Sequence, residues 1–187
     1  MSPSELRTAI DQATDSYLGG LELSVLPELA DQVIKGSILN LIQLINGHAI
    51  AIWLPENRDG EDVLTIALNV GERGHEIEGE ISQSMDKGLV SKAYRENETI
   101  CHQGFFKHRE QSSAVDQELG QVTAHQIATP FKLFDKIVGA VTVVQTLASG
   151  IEQQSEWGFD ENDVALFRTG IETIERLFEL NVIRKIV

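Results

Sequence analysis

One cysteine, Cys101, is the only one among 187 residues. That excludes an internal disulfide and any Cys-x-x-Cys metal knuckle. Cations are scarce as well: 15 Lys and Arg stand against 29 Asp and Glu, for a net charge of -14. A surface of that sign repels phosphate backbones and anionic lipid, so neither nucleic acid nor a membrane is an expected partner. No apolar run approaches the ~20 residues of a membrane span. The opening MSPSELRTAI has no basic start and no apolar core. It does not read as a signal peptide, and the expected compartment is the cytoplasm.

Catalytic signatures are missing too. GHEIEG (74–79) has the glycine spacing of a phosphate loop, but Glu80-Ile81 follow where Lys and Ser/Thr would stand. His75-Glu76 begins like a zinc-protease helix, yet Gly79 occupies the place of the second histidine. His48, His75, His102, His108 and His125 include no pair at metal-binding helix spacing. No metal site is expected, and no cofactor is specified.

What is present suits one globular domain. Hydrophobic residues make up 42% and charged residues 24%, and the length supports a single full core. PSELRTAIDQATDSY (3–17) reads as a helix, with Leu6, Ile10, Ala13 and Tyr17 on one face. A second helix is expected over 24–45. HAIAIWLPE and DVLTIALNV read as paired strands joined by a loop of several residues, in which Pro55 and the polar ENRDGED make the turn. The Glu-rich stretch 72–80 reads as a mobile, solvated lid. KGLVSKAYRENE is a short helix and TICHQ a short strand. AHQIATPFKL and KIVGAVTVVQT form a second hairpin about the polar step Asp135-Lys136. Pro130 belongs at a bulge or unpaired position, and Gly139 at a bulge or close backbone approach. Asp160 caps a helix expected to run to Val187.

Hairpins give an antiparallel sheet, and helices at both chain ends cover one of its faces. The expected fold is therefore α+β, with a pocket formed by loops and short helices on the other face. The last helix carries one stripe of Val164, Phe167, Ile171, Ile174 and Phe178 and a second of Leu166, Thr173, Leu177, Leu180 and Val187. A helix apolar on two sides needs a partner beyond the sheet. With the stripe of helix 3–17, this predicts a homodimer through a helical bundle, the alternative being that the first helix packs on the last within one chain. Its expected interface comprises Leu6, Ile10, Tyr17, Phe167, Ile171, Ile174 and Phe178. Residues 1–21 then form a dimerising helix and 22–187 the domain proper. The ending VIRKIV stops inside an apolar helical pattern, which fits either continuation into an output domain or a stand-alone sensor.

Three stretches resemble the GAF family of small-molecule sensing and dimerisation domains. GLVSKAYRENETI is similar to that family's glycine-started helix and the strand after it. ATPFKLFDKIVGAVTVVQT is similar to its paired strands, and FDENDVALFRTGIETIERLF to its closing helix. The resemblance implies a regulatory domain that binds an unidentified small molecule, or an output or partner signalling protein, and signals through its terminal helices. It places the pocket near Trp53, Met85, His102, Phe105 and Phe106. Thr129 and Thr142, polar within apolar strands, are either hydroxyls offered to a ligand or residues of the sheet's solvent face.

Particular ligands leave weaker marks. The Asn-Lys pair of the cyclic-nucleotide members is replaced by Gln145 and Thr146, and Val164 stands where their Glu would be. Cys101-His102 matches the dipeptide of the tetrapyrrole members, but in the short strand rather than the pocket segment. A haem would need His102, His108 or His125. The free methionine sulfoxide reductases of the family use more than one cysteine, and a lone cysteine cannot close their disulfide. The expectation is a non-enzymatic sensor. A ligand-free interaction module and a redox-active thiol at Cys101 are the alternatives.

Overall fold

The computed structural model describes residues 3–20, 22–71, 74–104, 116, 120, 122–147 and 158–186. Three helices come first: α1 (Pro3–Gly19), α2 (Val25–Leu29) and α3 (Gln32–Leu44). The single helix expected over 24–45 is interrupted at Ala30-Asp31. Asp31 is extended there, with ψ 180°. Its carboxylate accepts the Val33 and Ile34 N–H groups, at 3.0 Å each, and so starts a new helix. The Ile34 bond foremost, then one from the Asn181 side chain, hold the carboxyl below its usual range, with a smaller effect from Val33.

Strands β1 (Ala49–Arg58) and β2 (Glu61–Gly71) follow, then a single 3-10 turn (Gly74–Ile77) and β3 (Ser82–Ser84). Helix α4 (Leu89–Glu96) leads to β4 (Ile100–Gln103), β5 (Val122–Leu133), β6 (Lys136–Leu147) and the long helix α5 (Glu161–Ile186). The strands form one six-stranded sheet in the order β3-β2-β1-β6-β5-β4. All five pairings are antiparallel.

The first turn is tighter than expected. β1 and β2 meet at Asp59-Gly60, whose φ values are 52° and 88°. Asp-Gly is the residue pair such a two-residue turn favours. Pro55 lies inside β1 rather than in the loop. It sits two residues beyond Trp53, the last β1 residue paired with β6. Pro130 has a matching place, two residues past the last β5 residue paired with β4 and directly before a bulge at Phe131/Lys132. A residue without an N–H costs a sheet least at such positions. The β5–β6 turn is Phe134-Asp135, between strands that end at Leu133 and resume at Lys136 as expected. Phe134 has φ 51°, unusual for an aromatic residue. Its N–H donates to Glu179 Oε1 at 2.6 Å, and Arg176 grips the same carboxylate at 2.8 and 2.9 Å. The Phe134 side chain also packs on the core.

The stretch 74–80 is not a solvated lid. Glu78 Oε1 accepts the Asn69 N–H at 2.8 Å, Asn69 Nδ2 donates to Gly74 O at 2.7 Å, and Gly79 N–H donates to Ile66 O. β3, short and polar, pairs through Val63, Leu64 and Thr65.

Alternation along the strands sends side chains to two faces. The helical face carries Ile50, Ile52, Leu54, Ile127, Phe131, Val141 and Val143, packed with α2, α3 and α5 in the main core. From α5, Phe167, Ile171, Ile174 and Phe178 are 0–3% exposed there. Phe131 and Phe178 meet edge to face, with ring centroids 5.6 Å apart. The expected dimer interface is thereby corrected: these four residues form the stripe that the sheet covers, so they are unavailable to a second copy. Tyr17 of α1 likewise packs against its own chain's core. The side chains of Leu6 and Ile10 lie outside the described residues.

Helix α5 also binds the sheet through Glu175, 9% exposed, whose Oε1 accepts the Lys132 N–H at 2.6 Å. Burial pushes its carboxyl from 4.5 up to about 7, although that N–H and the Lys132 charge pull it down. The folded chain therefore holds a proton that the unfolded chain releases near 4.5. Glu175's contribution is fully present below that value and is lost as pH rises through about 7. Glu175→Gln keeps an oxygen acceptor and removes the buried charge. It is expected to stabilise the protein by about 1–2 kcal/mol above that window and to be near neutral below it. Urea titrations across the window check this; equal effects at both ends would contradict it.

Candidate functional site

The second face of the sheet is built differently. A smaller core gathers Ala51, Trp53, Leu64, Ile66, Ile81, Val90 and Ala140, with Met85 and Tyr94 packed against it. Helix α4 lies over this face and contributes Val90. Farther along the same strands the side chains are small. Ala49 and Ala51 of β1 stand opposite Val144 and Thr142 of β6, and Thr142 stands opposite Ala128 of β5. On the helical face the neighbouring positions are Ile50, Val143 and Ile127. Large residues fill one side of these strands, and small ones floor the other.

Polar groups border that floor. Trp53 Nε1–H donates to Thr142 Oγ1 at 3.0 Å; the two residues are 4% and 2% exposed. The bond fixes the indole and leaves the hydroxyl proton for another acceptor. At the start of β1, His48 Nδ1 accepts the Thr146 N–H at 3.0 Å and lies 3.0 Å from Thr146 Oγ1. Under α4, Ser91 is fully buried. Its hydroxyl donates to Ser84 O at 2.8 Å and accepts from Gln83 Nε2 at 2.9 Å.

The expected site residues separate accordingly. Trp53, Met85 and Thr142 share the second face. His102 pairs with Gln126, so alternation puts it on this face too, but on β4, three strands from Trp53 and at the sheet's edge. Thr129 does not join them. It lies on the helical face, 2.8 Å from Thr99 Oγ1. Phe105, Phe106 and His108 lie outside the described residues. His48, Ser91 and Thr146 were not anticipated. Thr146 carried the same signal as Thr142, a polar residue within an apolar strand; Ser91, in a largely polar helix, carried none.

Cys101 pairs with Ile127 and so points to the helical side, away from the floor. Burial pushes its thiol up, and Asp163 adds to the shift. His125 is 5% exposed within β5, and burial lowers its pKa. Among the described residues, no group of three or more His, Cys, Asp and Glu could hold a metal ion. Nor is any described helix long and apolar enough to cross a membrane.

An antiparallel sheet with the chain's terminal helices on one face and a short helix on the other is the fold of GAF domains, and this chain adopts it. Solved structures with this fold include the GAF-B domain of DevS from Mycobacterium smegmatis. It is 12% identical with a TM-score of 0.57, over 82% of this chain and 95% of that one. A GAF domain/HD domain protein from Geobacter sulfurreducens is 16% identical with a TM-score of 0.57, over 80% and 91%. The free methionine-R-sulfoxide reductase from Neisseria meningitidis, solved with its substrate, is 17% identical with a TM-score of 0.56, over 92% and 86%. No family model and no curated protein matches the sequence.

Proposed function

We propose that the chain is a signal-sensing regulatory domain. It binds a small molecule on the second face of its sheet and passes that state to a second copy through its helices. The floor of Ala49, Ala51, Ala128 and Thr142 carries this reading. Ala51, Thr142 and Ala128 are 8%, 2% and 0% exposed, so a molecule held against these small side chains and fixed polar groups would lie enclosed beneath α4. Thr142 would offer a hydroxyl, and Trp53 a flat apolar wall. Strand β6 links the two layers, because Thr142 faces the floor while its neighbours Val141 and Val143 enter the helical core. A ligand that favours one β6 position thereby biases how α3 and α5 lie.

The outer surface of those helices supports the second copy. Leu166 and Leu180 on α5 are 39% and 55% exposed, and Val33 and Leu44 on α3 are 62% and 66% exposed. These residues take the place of the buried α5 stripe as the proposed interface. Asp at both Leu166 and Leu180 is expected to weaken self-association by at least about tenfold. Sedimentation equilibrium would show it, and an unchanged assembly would sink this interface.

Native mass spectrometry followed by gentle denaturation tests the whole reading. A dimer that releases a small mass is expected. A clean dimer would favour a ligand-free interaction module, and a clean monomer would overturn both. A reactive thiol at Cys101 is the second reading, favoured by the reductases among the structural neighbours. Its raised pKa opposes it. Unchanged thiol reactivity in Cys101→Ser would remove it.

A further inference from the structure

A separate cleft of about 390 Å³ opens on the helical side, where α5 crosses β5 beside the turn from α4 to β4. It is distinct from the floor, since Thr129 and Ile171 in its wall belong to the helical face. Its size falls at the lower end of the range for ligand pockets. Its lining carries both signs of charge. Lys132 of β5 and Arg168 of α5 supply cations; Glu98 of the turn, with Glu172 and Glu175 of α5, supplies carboxylates.

The lining discriminates among ligand classes. An apolar molecule would strip water from these charges and give nothing in return. A bare phosphate would meet the carboxylates as well as the cations. A divalent cation would face Lys132 and Arg168, and the described carboxylates do not converge as a metal group. A molecule with an anionic end and a cationic end satisfies both sets. Arg168 is exposed within the lining, and a guanidinium carries the fork that recognises a carboxylate. Glu175 is the most enclosed of the carboxylates, with Oε1 already bonded to the Lys132 N–H. Its Oε2 is the oxygen left for an incoming ammonium. Burial holds that carboxyl at about 7, so an ammonium ligand would draw its proton off.

We propose that this cleft binds a zwitterionic α-amino acid, its carboxylate on Arg168 and Lys132 and its ammonium on Glu175 and Glu172. Such a ligand would bridge the last helix, the sheet and the α4–β4 turn.

The full chain is titrated with each standard L-amino acid by NMR, alongside N-acetyl-L-alanine and L-alaninamide. The first analogue lacks the ammonium and the second the carboxylate. Shifts confined to residues 97–99, 129–132 and 168–175 are expected for at least one amino acid, and neither blocked analogue should match it. Arg168→Gln and Glu175→Gln are each expected to weaken binding by about tenfold or more. Arg168 is exposed, so its variant should fold. Binding of no amino acid, equal binding of a blocked analogue, or unchanged affinity in Arg168→Gln would each overturn the assignment. So would shifts lying instead around Trp53 and Thr142, which would belong to the floor.

Discussion

Phe178→Ala is expected to destabilise the domain by about 3–5 kcal/mol, the usual cost of emptying a buried aromatic site. Phe178 is fully buried and meets the Phe131 ring edge to face. It also lies one residue before Glu179, whose carboxylate holds the left-handed Phe134 backbone. The vacated volume cannot collapse easily, because α5 is tied to the sheet on that side through Glu175 and Glu179. Against a total stability of ~5–15 kcal/mol, such a loss leaves a marginal fold. Equilibrium unfolding in urea measures it. A loss under about 1 kcal/mol would mean that α5 is not seated on the sheet as described.

Gly139→Ala is the second large effect, expected at about 3 kcal/mol despite adding a single methyl group. A Cβ at Gly139 would lie 2.1 Å from the Trp53 carbonyl oxygen. A backbone atom cannot swing aside as a side-chain tip can, so β1 and β6 would have to part. Gly139 has no positive φ that would require glycine; the contact alone demands it. The displacement would fall on the strands that hold Trp53 and Thr142 at 3.0 Å. The variant should therefore also shift the Trp53 indole N–H resonance and weaken any ligand held on the floor. Gly36→Ala is the control, since nothing lies within 4 Å of a Cβ there. Equal stability of the two variants would contradict the strand spacing described.

Much of the architecture was legible where local chemistry and the fold agree. Pro130 and Gly139 stood out against apolar strands, and both mark places where the sheet departs from a regular ladder. Asp160 caps α5 as its position implied, with Oδ1 accepting the Asp163 N–H at 2.8 Å. The errors arose where one residue outweighed a pattern. Asp31 divides an otherwise continuous helical period because its carboxylate captures two N–H groups. Asp59-Gly60 makes a two-residue turn although Pro55 suggested an earlier end to the strand. The Glu-rich stretch 72–80 resembled a solvated loop, and the role of Glu78 in satisfying Asn69 of β2 depends on a contact that composition does not encode.

The candidate sites divide the same way. Apolar spacing on the last helix identified two stripes, and periodicity alone cannot say which of them meets the sheet. Packing decided that Phe167, Ile171, Ile174 and Phe178 go inward, because their side chains complement Ile127, Phe131 and Val143 across the interface. Thr129 and Thr142 look alike in sequence, each polar within an apolar strand. Strand parity put one in the charged cleft and the other on the floor, and parity depends on bulges at Thr123/His125 and Phe131/Lys132 that only the paired sheet reveals. By itself, then, the sequence determined the order of the longer elements, though not the α2–α3 break or β3, together with the antiparallel sheet and the layer of terminal helices, since hydrophobic period and capping act within a few residues. Which side chains share a cavity was decided by the tertiary structure, because register and helix seating are set by contacts between residues far apart in the chain.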